Sequence, residues 1–269
     1  MKIQFLGTAA AEGFPAIFCN CEYCNKAREL KGKNIRTRSQ AIIDDKILLD
    51  FPADTYSHLL QNGIKGDEIE CLLLTHPHQD HLYSEDLCMR QGAYAHNLTV
   101  PTLKVFGTKS SIEKIPTNYK NIELNVVKEF ETIEFNGYKI TPLPARHMQK
   151  GDAVFYIIKG DKTILYGHDT GYFYDEVFAY FKEKNLYFDM ITLDCTYGVL
   201  PIQDSGGHMG FDNLSRLIKA LENIGAIDKK TIKYVNHFSH NINPLQSELE
   251  KEASKINCLV SYDNLVVKV

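Results

Sequence analysis

No apolar run in this 269-residue chain approaches the length needed to span a membrane. No basic segment followed by an apolar stretch opens it either. The strand-like Lys2-Ile3-Gln4-Phe5-Leu6 begins at once, which argues against a cleaved export signal. Positive charge is not in excess: 30 Lys and Arg against 34 Asp and Glu give a formal net charge of -4, so nucleic acid is not an expected partner. Internal repeats, low-complexity linkers and blocks of like charge are missing too, and residues 1–269 read as a single domain. Seven cysteines, an odd number in a chain without an export signal, fit a reducing, cytoplasmic setting better than a disulfide framework.

What is present is an ordinary globular composition, 44% hydrophobic and 24% charged. Strand patterns recur at 2–6, 40–43, 46–50, 70–74, 102–106, 122–127, 138–143, 153–159, 162–167, 189–193, 232–235 and 264–269. The segments 153–159 and 162–167 flank Gly160-Asp161 and read as a hairpin. Helices are predicted near 22–31, 54–62, 84–92, 108–114, 174–184, 211–224 and 244–255. The clearest is 211–224, where Phe211, Leu214, Leu217, Ile218, Leu221 and Ile224 recur at helical spacing before Gly225. This interleaving predicts a layered α/β domain with helices covering sheet faces.

The chemistry is concentrated in Thr75-His76-Pro77-His78-Gln79-Asp80-His81, which follows the apolar Cys71-Leu72-Leu73-Leu74. Three imidazoles and a carboxylate in six residues at a strand end suit two closely spaced divalent ions. Pro77 keeps His76 and His78 off a helix, unlike the helical His-Glu-x-x-His arrangement. Two apart on extended backbone, they can face one side. Further candidates follow later strands: His147, Asp169 and His237.

His76-x-His78-x-Asp80-His81, then His147, Asp169 and His237, resembles the ordered ligand set of the metallo-β-lactamase superfamily. The resemblance implies an αββα four-layer sandwich with a dinuclear site at one edge. It assigns His76, His78 and His147 to one ion, and Asp80, His81 and His237 to the other, with Asp169 bridging. Asp50, ending the strand at 47–49, is placed behind a ligand as its orienting partner. Mixed nitrogen and oxygen donors leave manganese, iron and zinc all open.

A second cluster, Cys19-Asn20-Cys21-Glu22-Tyr23-Cys24, lies in a polar loop. Three thiolates suit a structural zinc that needs a fourth ligand, and His240, three residues beyond His237, is the residue chosen. The other cysteines, Cys71, Cys88, Cys195 and Cys258, are expected as small buried side chains. The cysteine loop with His240, Arg38-Ser39 and His208-Met209 is similar to the cyclic phosphodiesterases of the carbon–phosphorus lyase pathway.

That resemblance implies hydrolysis of a small cyclic phosphodiester by a hydroxide shared between the ions. His208, in Ser205-Gly206-Gly207-His208-Met209-Gly210, would act as acid or phosphate contact. Asp80 is counted with His208 among the catalytic residues. One departure is Leu82-Tyr83-Ser84-Glu85, where relatives tend to carry a glycine; Tyr83 would narrow the pocket or touch substrate. The fold also hosts thioesterases and lactonases. Other readings are a cofactor-biosynthesis protein similar to pyrroloquinoline quinone B and a non-catalytic metal-binding protein. An RNA-processing relative would carry a long glycine- and proline-rich arm, which this sequence lacks. The expected assembly, if any, is a homodimer.

Overall fold

The computed structural model describes residues 1–269. Its first sheet contains β1 (Lys2–Gly7), β2 (Gln40–Ile43), β3 (Ile47–Leu49), β4 (Cys71–Leu73), β5 (Leu103–Gly107) and β6 (Ile122–Val126), with β14 (Leu265–Lys268) at the edge beyond β1. The second sheet contains β7 (Ile133–Phe135), β8 (Tyr138–Pro144), β9 (Val154–Lys159), β10 (Thr163–Gly167), β11 (Met190–Asp194), β12 (Ile232–Asn236) and β13 (Leu259–Val260), adjacent in sequence order.

Between the sheets, Ile3, Phe5, Leu49 and Leu73 of the first pack with Tyr156, Ile158 and Ile164 of the second. Six helices lie along the chain: α1 (Glu22–Leu30), α2 (Thr55–Asn62), α3 (Lys109–Ile112), α4 (Asp175–Glu183), α5 (Phe211–Asn223) and α6 (Gln246–Ser254). A second core joins Leu143, Phe155 and Leu165 to Val177 and Phe181 of α4, Leu214 and Leu217 of α5, and Leu249 of α6. A third joins Ile42, Leu48 and Leu72 to Leu59 of α2 and Leu87. Helix, sheet, sheet, helix is therefore the layer order, the αββα sandwich expected. Each fully buried large aliphatic side chain in these layers contributes about 1.5–3 kcal/mol.

Helix α5 follows its periodicity closely. Phe211, Leu214, Leu217, Ile218 and Leu221 are buried, and Asn213 Oδ1 accepts the Gly210 N–H at 2.7 Å. The chain leaves through Gly225 at φ +74°, a conformation cheap only for glycine. The hairpin is also present, with Thr163 opposite Lys159.

The predicted helix at 84–92 is instead a pair of tighter 3₁₀ turns, Ser84–Arg90 and Gly92–Tyr94. Three-residue spacing puts Leu87 and Arg90 on one edge. Leu87 enters the third core, and the Arg90 guanidinium donates to the Gly66, Val100 and Asn121 carbonyls. Strands β7 and β13 are additional to the sequence reading. Among the lone cysteines, Cys71, Cys195 and Cys258 are buried as expected, whereas Cys88 is only half-buried. No helix is long and apolar enough to cross a membrane.

Candidate metal centre

β3 and β4 run parallel, as do β10, β11 and β12, so their carboxyl ends meet at one edge of the sandwich. Open α/β sheets place ligands at such an edge. Here the sheets are tied together: Val154 N–H donates to Thr75 O, and Tyr156 Oη–H to Leu74 O. At or just beyond these strand ends lie Asp50, His76, Asp169, Asp194 and His237. Asp50, Asp169 and His237 have φ of 65°, 48° and 64°, a left-handed backbone uncommon for non-glycine residues and concentrated at functional sites.

All seven predicted ligands converge. His76 Nε2 lies 2.8 Å from His78 Nδ1, which lies 3.0 Å from His147 Nε2. On the other side, Asp169 Oδ2 is 2.9 Å from His81 Nε2 and 3.0 Å from His237 Nε2, while Asp80 Oδ2 is 3.3 Å from His81 Nε2. Asp169 turns its other oxygen toward the first group, 3.7 Å from His147 Nε2. The carboxylate thus stands between two nitrogen clusters.

The donor set fits metal on its own evidence. His81 Nε2, Asp169 Oδ2 and His237 Nε2 are buried and have no hydrogen-bond partner, although they lie about 3 Å apart. None is hydrogen-bonded to another, which leaves the point between them to a shared partner. Unpaired buried polar atoms are costly, and a cation at that point would satisfy all three. The outward nitrogens are mostly occupied. His81 Nδ1 meets Asp50 Oδ2 at 2.7 Å, His237 Nδ1 meets Thr196 Oγ1 at 2.8 Å, His147 Nδ1 meets Gly207 O at 3.0 Å and His76 Nδ1 meets Thr75 Oγ1 at 3.0 Å. Such partners fix the ring and its tautomer in metal sites. Burial drives His76 well below the usual histidine pKa, toward the neutral form that ligates.

His208 borders this cluster, its ring centre 4.6 Å from that of His147 and 5.7 Å from that of His237. Its Nδ1 is 2.9 Å from Asp194 Oδ2. Burial opposes charge on His208, but Asp194 outweighs it and raises the pKa to about 9. Asp194 is fully buried and also accepts from the N–H groups of Thr196 and Met209, both at 3.0 Å. Asp194 and Thr196 are not among the residues predicted from sequence, because an acid ending a strand carries no local mark of a site until the strands are paired. His168, next to Asp169, points away into the core, with Thr192 Oγ1 at 2.8 Å and Asn236 Nδ2 at 3.2 Å. Tyr83 is half-buried and its N–H donates to Phe51 O.

The cysteine loop forms a separate cluster. Cys19, Cys21, Cys24 and His240 bring one donor atom each to within 4.8 Å of one another. Tetrahedral zinc with bonds of about 2.3 Å would space its ligands ~3.8 Å apart, and Cys24 Sγ is 3.8 Å from His240 Nδ1. Cys21 caps α1, accepting the Cys24 N–H; that bond, with His240, lowers its pKa to about 6. Cys24 is pushed up to about 11 by burial. Glu12 anchors the partner loop, accepting from Ser239 Oγ and His240 N.

The family model described as the beta-lactamase superfamily domain matches residues 47–238. The chain belongs to the beta-lactamase superfamily. The match contains all seven residues of the paired cluster and stops short of His240. Of solved structures, a new diphosphatase from the PhnP family is similar over 100% of this chain and 97% of its own, with 20% identity and a TM-score of 0.76. Zinc-bound PqqB from Methylobacterium extorquens is 15% identical over 100% of both chains, with a TM-score of 0.74. The short form of human tRNase Z is 13% identical over 100% of this chain and 99% of its own, with a TM-score of 0.65. No curated protein matches the sequence. At these identities the likeness is one of fold.

Proposed function

We propose that this protein is a metal-dependent phosphodiesterase that hydrolyses a small cyclic phosphodiester. The observation that carries the reading is the placement of Asp169 between two nitrogen clusters, with His208 at their border. His76, His78 and His147 would hold one divalent ion and Asp80, His81 and His237 the other, sharing Asp169. Ions so held supply Lewis acidity, acidifying water and offsetting charge on phosphate oxygens.

The chain's own residues then have distinct tasks. Asp50 and Thr196 hold the rings of His81 and His237 with their Nε2 lone pairs inward. Asp194 accepts a hydrogen bond from His208 Nδ1–H, leaving the Nε2 edge to donate to a phosphate oxygen or to the departing alkoxide. An anionic ester suits such a donor better than a neutral lactone does. The similarity to a PhnP-family diphosphatase supports phosphate-ester chemistry, and the net charge of -4 supports a small molecule over a nucleic-acid backbone. The cysteine loop and His240 would carry a structural zinc.

The test is turnover by protein loaded separately with manganese, iron and zinc. Bis(p-nitrophenyl) phosphate should be cleaved and a thioester should not. Thioester turnover with no diester cleavage under any metal ends the proposal.

A further inference from the structure

Tyr197, beside His208, and the following Val199 and Leu200 stand in water, with exposures of 37%, 60% and 42%. The stretch from Cys195 to Gln203 contains no charged residue. Its backbone is fixed: Tyr197 N–H donates to Met209 O at 3.0 Å, Leu200 N–H to Tyr197 O at 2.8 Å, and Gly198 bridges to Gly210. Gly198 sits at φ +48°, and a Cβ there would fall 2.5 Å from Ile242 Cδ1, so its lack of a side chain lets the turn seat against Ile242. Apolar side chains held outward on a tied backbone, next to a candidate reaction centre, make a ligand surface.

A tyrosine ring part-open to water beside His208 suits a flat group. The Tyr197 ring centre lies 6.2 Å from that of His208 with the planes inclined at 40°, and the His208 and His237 rings are stacked at 15°. We propose that Tyr197 is a stacking platform for an aromatic group of the substrate, with Val199 and Leu200 extending it. The inference rests on the phosphodiesterase reading and narrows it to diesters bearing an aryl or heteroaromatic substituent. Tyr197 acts on specificity: it touches the part of the substrate that does not react.

Two measurements on metal-loaded protein test it. The first is the ratio of kcat/KM for bis(p-nitrophenyl) phosphate to that for methyl p-nitrophenyl phosphate. The leaving group is shared and only the retained substituent differs, so comparison between variants cancels intrinsic reactivity. Tyr197→Ala should lower this ratio about tenfold, near the weaker end of aromatic stacking. Tyr197→Phe should keep it, because the ring and not the hydroxyl is required. The second is calorimetric binding of phenylphosphonate against methylphosphonate, which needs no turnover. The wild type should prefer the phenyl compound about tenfold, and Tyr197→Ala should abolish the preference. Unchanged ratios in the alanine variant, or equal binding of the two phosphonates by the wild type, overturn the platform. A wild type that cleaves neither diester yet prefers phenylphosphonate sinks the phosphodiesterase reading and leaves the platform standing.

Discussion

The Nδ1 atom of His81 lies 2.7 Å from Oδ2 of Asp50, and both side chains are wholly buried. The other Asp50 oxygen accepts the Thr75 N–H at 2.8 Å, so the carboxylate cannot rotate freely. Asp50→Asn preserves shape, and asparagine tolerates the φ of 65° at this position. Its carbonyl oxygen must serve Thr75, leaving its NH₂ facing His81 Nδ1. The ring then has to place its proton on Nε2, the atom that faces Asp169 and the other candidate ligands. Affinity for the divalent ion at Asp80, His81 and His237 should fall about 10- to 100-fold, the usual cost of losing such a partner. Competition with a chelator measures it. Wild-type affinity in the variant would show that Asp50 does not set the tautomer.

The cysteine loop should be separable from the paired cluster. Cys21 caps α1 and shares its cluster with a histidine from the far end of the chain, so its thiolate joins two loops otherwise linked through Glu12. Cys21→Ser should hold one zinc fewer per chain while the other ions persist. Of the four hydrophobic cores only the smallest, around Phe14, Cys24 and Leu245, adjoins this loop, so the loss should loosen residues 12–24 and 239–243 without unfolding the whole. Metal analysis with limited proteolysis reads both effects. A wild type without tightly held zinc would refute the assignment.

Much of this was legible because its signals are local. The His76–His81 run sits in one turn, the cysteines in one loop, and α5 declares its buried face every third or fourth residue. Asp194 was illegible because an isolated acid at a strand end looks like any other; only the parallel pairing of β10, β11 and β12 aligns it with Asp169 and His237. The helix expected at 84–92 is absent because apolar spacing of three serves a helix and a 3₁₀ turn alike, and Arg90 decides between them through carbonyls distant in sequence. β7 and β13, at three and two residues, are too short for a period.

His58, which is buried, and the half-buried Thr37 and Asp263 form a chain whose protons can be counted. Gln40 Nε2 donates to Asp50 O, which turns its Oε1 toward His58 Nδ1 at 2.6 Å and requires a proton there. Thr37 Oγ1 then lies 2.6 Å from both His58 Nε2 and Asp263 Oδ2, two short contacts with one hydroxyl hydrogen between them. An extra proton completes the chain. Burial lowers His58 to about 4 and raises Asp263 to about 6, which puts that proton on the acid. Between pH 4 and 6 the folded state keeps a proton on Asp263 that the unfolded chain releases, so this group's contribution to stability falls as pH rises through that window. The span from 3.8 to about 6 corresponds to at most about 3 kcal/mol. Asp263→Asn cannot titrate, so its destabilisation relative to wild type should shrink from pH 4 to pH 6. Urea denaturation at four pH values gives the difference, and a gap that widens with pH contradicts the sign.

His208 should be dispensable for metal and essential for turnover. Its ring contacts His147 and His237 and its Nδ1 lies 3.8 Å from Asp169 Oδ1, but its hydrogen bond is to Asp194, and every predicted ligand has its distances to the cluster without it. Removing the ring in His208→Ala leaves Asp194 with the Thr196 and Met209 N–H groups, so the buried carboxylate stays partnered. Fold and metal content should therefore survive. Loss of a positioned acid or phosphate contact costs about 10²- to 10⁴-fold in rate. If His208 protonates the leaving alkoxide, the loss should be greatest for an alkyl leaving group and small for p-nitrophenolate, which departs without help. If it only contacts the phosphate, both esters should slow alike. Comparing the two esters in wild type and variant, with metal content measured alongside, separates these roles. Loss of metal from the variant would instead make His208 part of the ligand set.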